Sequence, residues 1–165
     1  MIAVYSIVKL VNLIAKSYNA VLILGAGRRR ISTVTKTELV RVTPFNLIGE
    51  DERGTTADFS LPRKQDQFIF IIRKKGTVSG NTYHEGKSEA TNPKIFLLLS
   101  GKIIFSYRKV SEKQVTTETI QAPAMIEIAP YVTHQVEVIE EALLLECNAI
   151  SDIQNDRIRE NVEIL

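Results

Sequence analysis

His84 and His134 are the only two histidines in 165 residues, and fifty positions separate them. Imidazole changes charge nearer to neutral pH than any other unperturbed side chain, so a pair of them can move a proton or hold a metal. His84 lies in "GNTYHEGKSEATNPKIFLLLSGK", residues 80–102, where a turn-rich stretch runs into an apolar one. His134 lies in "IEIAPYVTHQVEV", residues 126–138. Glu89 follows His84 in a polar loop, and Lys94 opens the apolar run. His84, His134 and Glu89 could form a two-histidine, one-carboxylate face for iron, manganese, nickel or zinc. The same imidazoles without a metal could act as general acid and base. The plain alternative is a structural pair that lines an interior and hydrogen-bonds to a polar ligand or to each other. For Glu89 and Arg53 the alternative is a solvated surface charge. For Lys94 it is a solvated strand end, and for Tyr107, in line with Ile103 and Phe105, a core position with its hydroxyl toward the cavity.

The bulk numbers set bounds. Net charge is +2, from 21 basic and 19 acidic residues. That balance argues against a nucleic-acid partner and gives no support to a membrane one. A single cysteine, Cys147, excludes an intrachain disulfide. Its apolar setting suits an inert thiol, in keeping with a cytoplasmic protein. Residues 1–25 are apolar but carry Lys9 and Lys16. Ser6, Lys9, Asn12 and Lys16 recur at helical spacing, so residues 2–17 read as an amphipathic helix. Its apolar face would pack on the domain or on a second copy, and peripheral membrane contact is the alternative. Gly25 and Gly27 suggest a dinucleotide-binding turn, but Arg30 stands where the third glycine belongs and β-branched residues follow. A tight turn between strands fits better.

From residue 31 onward the chain reads as strand and turn. Expected strands are 37–42, 55–61, 67–73, 94–100, 102–108, 115–121, 125–129, 134–139 and 142–148. Short strands so spaced predict an all-β antiparallel sandwich or barrel. Ser151-Asp152 and the spacing of Ile153, Ile158 and Val162 predict a short C-terminal helix. The expected organisation is an extension over residues 1–30 and a barrel with its short helix over residues 31–165.

This order resembles the cupin superfamily of double-stranded β-helix (jelly-roll) barrels. Gly76 opens the first cupin motif, His84 matches its second histidine and Glu89 its glutamate, while Gly101, in the place of its final glycine, lies farther from Glu89 than the motif allows, with Asn92-Pro93 marking an insertion. Thr82 stands where the first histidine belongs. In the second motif Pro130 and His134 match, while Tyr131 and Val138 replace a glycine and an asparagine. Within the superfamily the chain is most similar to the nucleotide-sugar 3,5-epimerases and 3,4-ketoisomerases. Asp51-x-Arg53-Gly54, Asp58 and Lys94 carry that likeness.

The resemblance implies His84 and His134 as catalytic residues and Lys94, Tyr107 and Arg53 as substrate-binding ones. His84, His134 and Glu89 would be ligands only if a metal is bound. The epimerase base falls at Thr82, so His84 would replace it from two residues along the same strand face. The cofactor is either none or one divalent transition metal. The expected partners are a carbohydrate-like small molecule and a second copy of the chain. The resemblance thus implies an isomerase or epimerase working by histidine-mediated proton transfer, with a pH–rate profile that turns near the ordinary histidine pKa. A non-catalytic ligand- or metal-binding barrel is the alternative, followed by a metal-dependent oxygenase.

Overall fold

The protein, seen in a computed structural model, is described over residues 35–36 and 39–163. The helix expected over 2–17 and the glycine turn at 25–27 lie outside the described residues, as does the boundary at residue 30. The strands are β1 (Thr35–Lys36), β2 (Val40–Pro44), β3 (Asn46–Asp51), β4 (Gly54–Asp58), β5 (Ile69–Arg73), β6 (Val78–His84), β7 (Lys94–Lys109), β8 (Thr116–Gln121), β9 (Ala124–Ile128), β10 (Val132–Glu146) and β11 (Arg157–Arg159). Among the described residues one helix, α1 (Ile150–Asp156), precedes β11.

All pairing among the described residues is antiparallel. Nine strands form one sheet in the order β1-β2-β9-β7-β10-β6-β11, with β5 also on β10 and β8 also on β7. The hairpin β3–β4 forms a separate sheet. The two long strands make the topology. β10 pairs with β6 over His134–Glu137 and with β5 over Ala142–Glu146. β7 pairs with β9 in its first half and with β8 in its second. A strand that changes neighbour halfway must bend, and the bent pair curls the sheet around a core. That core takes alternate residues, including Ile103, Phe105 and Tyr107 of β7 and Val136, Val138 and Leu144 of β10.

Three expectations are corrected. Gly101 does not end a strand, because β7 runs unbroken from Lys94 to Lys109. Gly101 has φ +89°, and a side chain there would overlap the Glu141 carbonyl, so glycine lets β7 and β10 bulge past each other. The turn-rich 78–84 segment is strand β6, since backbone pairing outweighs the low β propensity of its glycine and asparagine. The C-terminal helix is only seven residues long, and Arg157–Arg159 form a strand against β6. Ile158 therefore follows strand and not helical spacing.

Candidate functional site

β6 and β10 lie side by side, with His134 opposite Thr82. Side chains two apart on a strand share a face, so Thr82 and His84 look the same way as their neighbour on β10. The outcome is a stacked imidazole pair, with ring centroids 6.0 Å apart and planes 22° apart. Gly80 permits the approach: its φ is +102°, and an added Cβ would sit 2.7 Å from the His134 carbonyl oxygen.

The two rings line a cavity of about 850 Å³ together with Thr82, Lys94, Phe96 and Glu146. His134 stacks on Phe105, and Phe96 meets it edge-on. Its Nδ1 lies 3.0 Å from the Val132 carbonyl oxygen. A carbonyl only accepts, so Nδ1 carries the proton and Nε2 keeps its lone pair. His84 Nδ1 is buried and has no hydrogen-bond partner among the described residues. Burial pushes His84 down to about 3, helped by the nearby Lys94 charge. Burial likewise pushes His134 down to about 4, against the Val132 hydrogen bond. Both are neutral at physiological pH and able to accept a proton. With both rings held below the ordinary histidine range, a pH–rate profile set by them turns at lower pH than the sequence alone implies.

Lys94 and Glu146 form a buried ion pair at the cavity wall. Lys94 Nζ also lies 3.4 Å from Asn148 Oδ1 and 5.2 Å from the Phe96 ring centre. Burial pulls the Lys94 pKa down, and Glu146 opposes that pull. Arg73, Arg157 and Arg159 also line the cavity, as does Glu160. Arg159 is anchored by a 3.1 Å hydrogen bond to the Gly80 carbonyl.

The structure brings His84, His134 and Lys94 together and leaves three other expected residues elsewhere. Glu89 is exposed in the 85–93 loop and does not line the cavity. Tyr107 is buried in the core, donates to Glu118 at 2.6 Å and does not reach the cavity. Arg53 sits 84% exposed on the β3–β4 turn, paired with Asp51 at 2.7 Å.

Among the described residues no three His, Cys, Asp or Glu side chains are grouped to hold a metal. The residues present therefore do not fit the expected metal centre. Glu146, the carboxylate on the cavity wall, is engaged by Lys94, whose ammonium would repel a cation. Glu146 itself could have been found from sequence. Ala142, Leu144 and Glu146 alternate on the inward face of β10, and an inward carboxylate demands a partner. Arg157 and Arg159 gave no such signal, because their segment reads as helix.

Solved structures share this fold. A variant of the 3,4-ketoisomerase from Thermoanaerobacterium thermosaccharolyticum, in complex with TDP-4-keto-6-deoxyglucose, is 17% identical with a TM-score of 0.58, over 76% of this chain and 90% of that one. The dTDP-6-deoxy-D-glucose-3,5-epimerase from Legionella pneumophila, in complex with dTDP-4-keto-L-rhamnose, is 13% identical with a TM-score of 0.59, over 77% and 76%. The capsular polysaccharide assembling protein from Staphylococcus aureus is 21% identical with a TM-score of 0.50, over 73% of this chain and 35% of that one. These likenesses establish a cupin-type barrel. No curated protein matches the chain. The model of the polysaccharide biosynthesis C-terminal domain matches residues 49–157, and the chain belongs to that family.

Proposed function

We propose that the chain is an isomerase or epimerase acting on a nucleotide-linked ketosugar. One observation carries the reading: two neutral imidazoles, one with its tautomer fixed and one with a buried unpartnered nitrogen, share a cavity wall with a buried lysine. Enolisation needs those parts. A neutral imidazole takes the proton from the carbon beside the ketone; the C–H electron pair becomes the C=C bond of the enolate and the carbonyl π pair moves onto the oxygen. The Lys94 ammonium stabilises that oxygen. Return of the proton to the other face of the same carbon gives an epimer. Protonation of the former carbonyl oxygen gives the enediol, and return of the carbon proton to the former carbonyl carbon, as the neighbouring hydroxyl loses its proton and becomes the new carbonyl, gives an isomer. Glu146 opposes the burial that draws the Lys94 pKa down, and so favours the ammonium form.

Arg73, Arg157 and Arg159 suit the diphosphate of such a substrate, since charge-assisted guanidinium–phosphate bonds are short and directional. Replacing both Arg157 and Arg159 by alanine should weaken TDP binding by about 10²–10⁴-fold in titration calorimetry, from hydrogen bonds to charged groups worth about 1.5–3 kcal/mol each. Unchanged affinity would remove these arginines from the proposed site.

The working unit is a homodimer. Phe70 and Ile72 stand 63% and 55% exposed on the outward face of β5, with Phe68 beside them. Patches of that kind mark association surfaces. Phe70→Lys with Ile72→Lys should halve the mass seen by sedimentation equilibrium, and a wild-type monomer would overturn the dimer. A cytoplasmic setting agrees with the one buried thiol, Cys147, which burial pushes up to about 11.

A further inference from the structure

We infer that Asp156 is a positioning residue: its buried carboxylate fixes the backbone immediately after His84 and so holds that imidazole at the cavity. Asp156 ends α1 and is 2% exposed. Its Oδ1 accepts the Glu85 N–H at 2.8 Å. Its Oδ2 accepts the Gly86 and Lys87 N–H groups, each at 3.0 Å, and the Thr91 hydroxyl. Three consecutive backbone donors directly after His84 thus converge on one anion, in the manner of an anion-binding nest. The other anchor is across the turn, where the Tyr131 N–H donates to the His84 carbonyl at 2.7 Å. Arg157, the next residue after Asp156, pairs with His84 in the β11–β6 register. One carboxylate therefore ties the end of β6, the 85–91 loop and the strand that carries Arg157 and Arg159.

A bare fastener would not need a charge. Burial opposes the carboxylate, and the four hydrogen bonds outweigh it, holding Asp156 below the usual carboxylate range. An asparagine has one acceptor oxygen where four donors meet, and its NH₂ faces N–H groups.

Only the kinetic side of this role rests on the proposed reaction, and the decisive measurement needs no substrate. Two histidines give two imidazole sets in ¹H–¹⁵N spectra of the full chain. Lys94, His134 and Arg157 all push the His84 pKa down, and Asp156 is the neighbouring charge that raises it. Loss of the charge alone would therefore lower the His84 midpoint further. Loss of position admits water and relieves the burial that dominates the shift. In folded Asp156→Asn the His84 midpoint should rise from about 3 by at least about one unit, with His134 unmoved. An unchanged or lowered midpoint overturns the role.

Should Asp156→Asn fail to fold, Thr91→Val removes one of the four bonds and keeps the charge. Amide exchange at Glu85, Gly86 and Lys87 should then quicken by about fivefold, and unchanged exchange overturns the role. A raised midpoint in Asp156→Asn, with the wild type itself inactive on TDP-4-keto-6-deoxyglucose, would sink the isomerase reading alone. Activity with a fixed midpoint would sink the clamp alone.

Discussion

His84→Ala lowers the exchange of solvent deuterium into TDP-4-keto-6-deoxyglucose by about 10²–10⁴-fold, the range general-base catalysis supplies. TDP affinity stays within about threefold, because the arginines and not the imidazoles face the diphosphate in the proposed pose. His134→Ala and the double variant fall to the same floor, since groups that act as a unit lose their whole effect with either member. Retained exchange in His84→Ala would end the proton-transfer reading. Complete absence of exchange in the wild type, with tight TDP binding, would make the barrel a binding module.

The pH profile follows from the same burial. With His84 near 3 and His134 near 4, the rate should stay level from pH 8 to about 5 and fall only as the imidazoles protonate below that. The linkage sign is fixed. In the unfolded chain both rings titrate near the ordinary value of about 6.5. As pH falls below that value the unfolded state takes up protons that the native state refuses. The contribution of the pair is full above pH 6.5 and is lost as pH drops toward the folded values of about 3 and 4. Urea midpoints between pH 7 and pH 4 check it.

Lys94→Met costs about 3–5 kcal/mol of stability, because it strands the Glu146 carboxylate in the wall of the barrel. The expected fall in Tm is at least about 10 °C for a domain of this size. Lys94→Met/Glu146→Leu returns to within about 1–2 kcal/mol of the wild type, since a buried ion pair and an apolar pair of similar volume are often close in stability. On the proposed mechanism the double variant should lack activity, because no cation would meet the developing enolate. Thermal melts and the deuterium assay on the same samples separate the two effects. A stable and active double variant would show that the pair serves folding only.

Much of the barrel was legible in local patterns. "KIIFSYR" and "HQVEVI" announce strands by alternation, and Ile103, Phe105, Val136 and Val138 face the core as that alternation requires. The continuity of β7 through Gly101 was not legible. A glycine that ends a strand and one that bulges a strand past its neighbour look the same in sequence, and only Glu141 on the opposing strand distinguishes them. The 78–84 strand hid behind turn-forming residues for the same reason: its glycine answers to the His134 backbone, which lies over fifty residues away.

By itself the sequence determined the composition of the site's chemistry: two imidazoles, a strand-opening lysine and too few ligands for a confident metal centre. Residue type fixes what a group can do, and alternation fixes which way it faces within its own strand. Tertiary structure decided which of these groups meet. It joined His84 to His134 through β6–β10 pairing and gave Lys94 to Glu146. It set Glu89 and Arg53 in the solvent and Tyr107 in the core, placed Asp156 on the backbone after β6, and brought β11 to the cavity. Those choices depend on register between strands far apart in the chain. Register is set by the summed packing of whole strands, a quantity that no local window contains.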